Sequence, residues 1–262
     1  MNTEGLMIVA EATKVLAPEV YKDTLHAGMK EIGGNVHTLS KLVTIALTPI
    51  SAIVWGYEKI KAYIVPALEE RLQNIPKEKI IQPDTMIAGP TLEALRFAGH
   101  KEELRELYAN LLAASMNSDT ANKAHPAFVE IIKQLSPDEA KLLSCMKTKT
   151  SYPLVSIRSK DKTGVAFGVP LSNFCLIPYD ANCKYPELGP SYLGNLSRLG
   201  ILDLSYATYV INPPNSYDAI NIHPYITQLC ELIKDTDKIP ELRQGSITFT
   251  ELGRQFYEAC IE

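Results

Sequence analysis

Apolar residues in the first half of the chain recur at helical intervals. Leu6, Val9, Ala10, Leu16, Val20 and Leu25 share one face of a stretch interrupted at Pro18 and broken by Gly33-Gly34. The next helical stretch starts near Asn35, and Lys41 is the only formally charged side chain between Glu31 and Glu58. Leu42 to Tyr57 is a run of 16 uncharged residues that contains Pro49 and Gly56. Ser40, Thr44, Thr48 and Ala52 place small side chains every fourth residue along one face, where another helix can approach closely. Two readings compete for this run. One is a buried central helix kinked at Pro49. The other is a segment that inserts into or lies on a membrane, or meets a partner, through Leu42, Ile45, Ile50, Ile53 and Trp55. The run is short for a span, its flank Glu58-Lys59-Ile60-Lys61 is of mixed sign, and its hydroxyls are awkward in lipid. These features favour the buried helix.

Further on, Pro66 opens a helical piece over Ala67 to Asn74. Pro76, Pro83 and Pro90 then punctuate a segment expected to be extended, including Lys79-Ile80-Ile81 and Met86-Ile87. Thr91 caps a short helix ending at Gly99. Lys101 to Met116 is the clearest helix, with Leu104, Leu107, Tyr108, Leu111, Leu112 and Met116 on one face. Glu102, Glu103 and Glu106 load its first turns, where the helix dipole favours anions. Another helix starts at His125-Pro126, with His125 as a capping group. Ser136-Pro137-Asp138-Glu139 is a capping box that starts the next one. It also marks the expected division between two domains.

The second half mixes periods. Tyr152 to Arg158 reads as a strand, Lys160 to Gly164 as a polar turn, and Val165 to Val169 as the returning strand. Pro190 to Leu199 reads as a helix stopped by Gly200. Ile201 to Leu204 reads as a strand with Tyr206 to Ile211 as its hairpin partner. Ile226 to Leu232 is helical, Ser246 to Thr248 is a short strand, and Thr250 opens a last helix through Cys260. The succession of helix, Leu-Gly turn and hairpin resembles a winged helix-turn-helix. Such a unit binds DNA when exposed cations neutralise phosphates, and Lys184, Arg198, Arg243 and Arg254 are the candidates. The recognition helix itself carries only Arg198, which favours a structural or protein-contact use of the same shape.

Composition narrows the chemistry. With 262 residues, 46% of them hydrophobic and 21% charged, the chain can bury a substantial core. The net charge of −4 divides evenly between the halves and excludes a strongly basic nucleic-acid binder. No stretch of 18 apolar residues appears, and the first residues lack the basic region of a secretory signal. The five cysteines, Cys145, Cys175, Cys183, Cys230 and Cys260, form no C-x-x-C pair and suit reduced thiols of a cytoplasmic protein. The five histidines have no metal-ligand spacing. Phosphate-loop and nucleophile-elbow motifs are absent. Arg96 and His100, with three intervening residues that include Gly99, miss the four to six intervening residues of the HEPN ribonuclease motif. Glu69-Glu70 and Glu102-Glu103 are adjacent on helices, so their side chains diverge onto a solvated face.

The runs Glu103-Leu104-Arg105-Glu106-Leu107-Tyr108-Ala109-Asn110-Leu111-Leu112-Ala113-Ala114-Ser115-Met116 and Ala124 to Ala140 (AHPAFVEIIKQLSPDEA) resemble the core of the abortive infection alpha family. The resemblance extends over roughly residues 65 to 260. It implies a role in bacterial defence against phage, in which an infected cell stops growing before new phage are released. It carries over no catalytic residues.

The expectation is a mainly α protein with a C-terminal α+β part. A helical domain over about 1–135, containing the apolar helix 42–57, precedes a winged-helix-like domain over about 136–262. It acts by binding or by a conformational or membrane-contact switch, without cofactors or catalytic residues. A winged-helix DNA regulator and a cryptic ribonuclease toxin are the alternatives. A phage or host protein, a membrane reached through helix 42–57, DNA and a second copy are the candidate partners. The expected location is the cytoplasm, with peripheral contact at the inner face of the membrane as a variant.

Overall fold

The computed structural model describes residues 55–164 and 167–262. Leu42, Ile45, Ile50 and Ile53 lie outside them; Trp55 lies inside and is 6% exposed. Tyr57–Glu262 form one compact unit, mixed α/β and about half helical.

Its helical part is built around one spine. Helix α1 spans Tyr57–Leu72, α2 Thr85–Ala98, α3 Glu102–Ser115, α4 Ala127–Lys133 and α5 Pro137–Cys145. The apolar spacing read along α3 is the reason it is central: Leu104, Leu107, Tyr108, Leu111 and Leu112 are all buried. Helices α1, α2, α4 and α5 pack around it, as does α10 (Glu251–Cys260) from the far end of the chain. The rings of Phe128 on α4 and Phe256 on α10 meet edge to face at 5.3 Å and anchor that last helix.

The prolines do less than their positions suggest. Pro66 lies inside α1 and Pro90 inside α2, so Pro66 does not open a helix and Met86-Ile87 are not extended. Each proline forfeits one backbone bond. Burial of Ile60, Ile64 and Ala67 in α1, and of Ile87, Thr91, Ala94 and Leu95 in α2, outweighs that loss. The cap of α2 is Asp84, whose carboxylate accepts from the Met86 amide, in place of Thr91. The capping box of α5 forms as read. Ser136 Oγ accepts from the Glu139 amide at 3.2 Å, and Glu139 Oε2 accepts from the Ser136 amide at 2.6 Å. His125 Nδ1 accepts from the Ala127 amide, which makes it the capping group expected.

The C-terminal half holds a four-stranded antiparallel sheet. Its strands are β1 (Tyr152–Lys160), β2 (Phe167–Phe174), β3 (Leu202–Ser205) and β4 (Ile239–Phe249), in the order β2-β1-β4-β3. β4 is the long central strand. It pairs with β1 from Tyr152↔Ile247 to Lys160↔Ile239, and with β3 from Leu202↔Phe249 to Ser205↔Ser246. β4 therefore fills the place expected for Tyr206 to Ile211, and the predicted wing hairpin does not form. Tyr206 instead lies across Gly245, where a β-carbon would come within 2.7 Å of its ring. Pro170 in edge strand β2 removes one amide that could recruit a foreign strand.

Short helices cover the sheet: α6 (Ile177–Asp180), α7 (Gly189–Arg198), α8 (Asp218–Asn221) and α9 (Pro224–Asp235). A second core forms where Ile226 and Ile233 of α9 and Ile220 of α8 meet Val155 and Ile157 of β1, with Leu171 and Phe174 of β2. Among the described residues no helix is long and apolar enough to cross a membrane.

Candidate functional site

Helix α3 borders two open grooves that meet at Arg71 and Asn110. The larger, about 530 Å³, runs between the start of α3 and the end of α5. The smaller, about 340 Å³, runs between α1, the end of α3 and the end of α10. Periodicity explains the placement. The apolar face of α3 is spent on the core, so its polar positions Glu102, Glu103, Glu106 and Asn110 border the grooves.

At the junction one guanidinium ties α1 to α3. Arg71 donates to Glu106 Oε2 at 2.6 Å, to Asn110 Oδ1 at 2.6 Å and to the Ala67 carbonyl at 2.9 Å. Asn110 passes the connection on, its amide donating to the Cys260 carbonyl at 2.8 Å. The Tyr63 hydroxyl donates to the other oxygen of Glu106 at 2.9 Å. Burial works to raise the pKa of Glu106, but the bonds from Arg71 and Tyr63 outweigh it and hold the carboxyl below its ordinary value. Burial, and then the neighbouring Glu106 carboxylate, push the Tyr63 phenol above its own. Glu106 is thus a fixed anion with both oxygens engaged. That suits holding a surface in shape and does not suit moving protons.

The other charged side chains are divided between the grooves. Glu102, Glu103 and Lys141 line the larger, with the Lys141 ammonium 3.3 Å from Glu103, and Glu258 and Glu262 line the smaller, with Glu258 2.7 Å from Lys123. Cys145, at the end of α5, brings an exposed thiol to the larger groove. Cys175, Cys183 and Cys260 are buried. Desolvation pushes Cys175 up to about 12 and Cys183 up to about 11, so these thiols are inert at neutral pH. Among the described residues no group of three His, Cys, Asp or Glu side chains is arranged to hold a metal ion.

A second polar node sits beneath α7. Asp138 accepts from the amides of Lys184 and Tyr185 at 2.8 and 3.0 Å and from the Tyr192 hydroxyl at 2.9 Å. Burial raises its pKa, and those three donors, with Lys141 nearby, outweigh the burial and hold it below the usual carboxylate range. Read in the sequence only as part of a start signal, Asp138 proves to be the tie between α5 and the loop before α7.

The four basic residues proposed for DNA are distributed over separate elements, and each is engaged at home. Arg198, at the end of α7, donates to Gln134 Oε1 and Asn195 Oδ1. Arg254, on α10, donates to the Phe249 carbonyl and pairs with Glu251 at 3.1 Å. Arg243, on β4, lies over the Tyr206 ring at 5.1 Å and donates to the Tyr206 carbonyl. Lys184 lies over the Tyr185 ring at 5.0 Å. Arg243 and the Phe249 contact of Arg254 are six residues apart along one strand, roughly 20 Å.

A solved structure from the hydrocarbon-degrading marine bacterium Alcanivorax borkumensis SK2, described as an uncharacterized protein, is similar to this chain. The identity is 17% and the TM-score 0.37, and the likeness covers 50% of this chain and 89% of that one. No curated protein matches the chain. The profile of the abortive infection alpha family matches residues 56–260, which takes in the spine helix, both grooves, the Asp138 node and the sheet, so the chain belongs to the abortive infection alpha family.

Proposed function

We propose that this chain is a phage-defence protein that works by abortive infection, and that it acts through contact with a partner rather than by making or breaking bonds. The family match over residues 56–260 carries the first half of this reading. The junction of the grooves supports the second. Glu106, Arg71 and Asn110 are each committed to a neighbour, which favours a surface held in shape for contact over one that moves protons. Within this reading the run 42–57 is the segment assigned to membrane or partner contact, and the division near residue 135 separates a helical part from a winged-helix-like part.

The test is expression of the chain in a bacterial host challenged with phage. The expected result is reduced plaquing, with growth arrest of infected cells at high multiplicity. Unchanged plaquing and unchanged infected-cell growth across a broad phage panel sink the defence reading. Purified protein is also mixed with vesicles. Leakage that is lost in folded Ile45→Asp or Ile53→Asp variants supports membrane contact, and an inert protein removes it. The DNA-regulator reading predicts salt-dependent duplex binding that weakens in Arg198→Ala.

A further inference from the structure

The far end of the sheet carries a surplus of positive charge on one face. Residues directly opposite one another in an antiparallel pair share a face, as do alternate residues of one strand. Arg158 and Lys160 on β1 therefore stand on the same face as Ile239, Glu241 and Arg243 on β4, through the pairs Arg158↔Glu241, Lys160↔Ile239 and Ser156↔Arg243. Val155 and Ile157 take the other face, in the core under α8 and α9. Glu241 is the carboxylate set among the three cations, 2.5 Å from Lys160 and 3.9 Å from Arg158. The hydrogen bond from Lys160, and then the charges of Lys160, Arg158 and Arg243, hold its carboxyl below the ordinary value. Three cations around one carboxylate leave two positive charges in excess, on a chain whose net charge is −4. Lys162, at the hairpin tip, is already matched by Asp237 at 2.6 Å. Lys160 spends one N–H on Glu241 and Arg243 one on the Tyr206 carbonyl, so both keep donors for a second anion. Ile239, beside them, is 55% exposed.

We infer that this face receives an acidic segment of a partner protein, with carboxylates of the segment held by Arg158, Lys160 and Arg243 and an apolar side chain set against Ile239. Such a partner is a particular case of action by contact and depends on that reading. Charge complementarity selects it. Alternate residues of a strand lie about 7 Å apart, and an extended segment with carboxylates at alternate positions has the same repeat, so it can lie along the cations in register. A phosphate backbone would meet the same cations, but three features count against it. It leaves Ile239 uncovered. Tyr206, the ring beside Arg243, is not open to a base: Arg243 lies over it at 5.1 Å, and two hydrogen bonds hold its hydroxyl at Asn173. A long polyanion also meets the repulsion of the whole acidic chain, whereas a short segment meets mainly the local excess. Exposed ion pairs are individually weak, so the affinity is roughly millimolar and falls with salt.

The test is an NMR titration of the isotope-labelled full chain with hexaglutamate, up to about 10 mM, followed at backbone and arginine side-chain signals. At low salt the signals of Arg158, Lys160, Glu241 and Arg243 shift toward saturation, and at about 0.5 M salt they return. Arg243→Ala weakens binding about two- to five-fold. Glu241→Gln removes the opposing charge and tightens binding by a similar factor, a gain that unfolding cannot produce. Arg198→Ala leaves it unchanged. Three results overturn the assignment: signals that stay still in both wild type and Glu241→Gln, equal weakening in Arg198→Ala, or hexathymidylate binding the same residues more tightly than hexaglutamate, which would put a nucleic acid on this face. None of the three bears on phage protection, which the plaque assay reads separately.

Discussion

Gly253 and Gly194 both sit inside helices, and their surroundings set opposite fates for a single added methyl. Gly253 is the third residue of α10. A β-carbon built there would lie 2.0 Å from the Ile201 carbonyl oxygen and 2.9 Å from its carbon. Both are backbone atoms, and that carbonyl already accepts from the Thr250 amide at 3.1 Å, so neither side can swing clear. Ordinary contact begins near 3.4 Å, so α10 must retreat by about 1.4 Å. Phe256, fully buried one turn along, is drawn off the Phe128 ring by the same movement. Overpacking of this kind costs about 1–3 kcal/mol, and partial loss of a buried phenylalanine adds to it from a full value of about 3–5 kcal/mol. The helix propensity of alanine returns about 1 kcal/mol. The expected net effect of Gly253→Ala is a destabilisation of about 3 kcal/mol or more.

Gly194, inside α7, has nothing within 4 Å of its β-carbon position. Gly194→Ala should stabilise by about 0.5–1 kcal/mol, through helix propensity and a less mobile unfolded chain. Urea unfolding followed by helical circular dichroism measures both on one scale. If Gly253→Ala unfolds within about 0.5 kcal/mol of wild type, or Gly194→Ala is equally damaging, the reading of how α10 is seated is wrong.

Three other outcomes follow from the same geometry. Asp138→Ala leaves two amides and the Tyr192 hydroxyl without their acceptor and should cost about 3 kcal/mol in the same unfolding assay. The native pKa of Asp138 is depressed, so its contribution is complete above the unfolded value of about 3.9 and is lost as pH falls below that toward the native value. The acid limb of a stability–pH curve should therefore flatten in Asp138→Asn; an unchanged limb counts against the node. A maleimide reagent should label Cys145 rapidly in the native protein and reach Cys175, Cys183 and Cys260 only on unfolding, as read by peptide mass spectrometry; native labelling of Cys260 would contradict the seat of α10. Arg71→Ala frees Glu106 and Asn110 together, so hydrogen exchange should speed at the end of α10, where Asn110 holds the Cys260 carbonyl, while the sheet is unaffected.

Local signals in the sequence carried through wherever the structure is local. The capping box at Ser136 and Glu139, the cap at His125 and the apolar face of α3 each depend on residues within a turn or two. The prolines misled because their cost is local and the burial that outweighs it is tertiary. β4 was read as three residues and is 11 long. Its first half, with Glu241, Arg243 and Gln244, has the polarity of a loop and becomes a strand because Glu241 meets Lys160 and Arg158 across the ladder. The groove junction was illegible for a related reason. Arg71 lies 35 residues from Glu106, and Asn110 lies 150 from the carbonyl it holds. No spacing rule reaches that far.

Whether the basic residues of the C-terminal half can meet phosphates is decided by what they would have to give up. To neutralise phosphates, Arg198 and Arg254 would each have to give up hydrogen bonds that join α7 to Gln134 and α10 to the Phe249 carbonyl. Each bond is worth about 0.5–1.5 kcal/mol, and the gain from phosphate contact is reduced by that amount before any binding is seen.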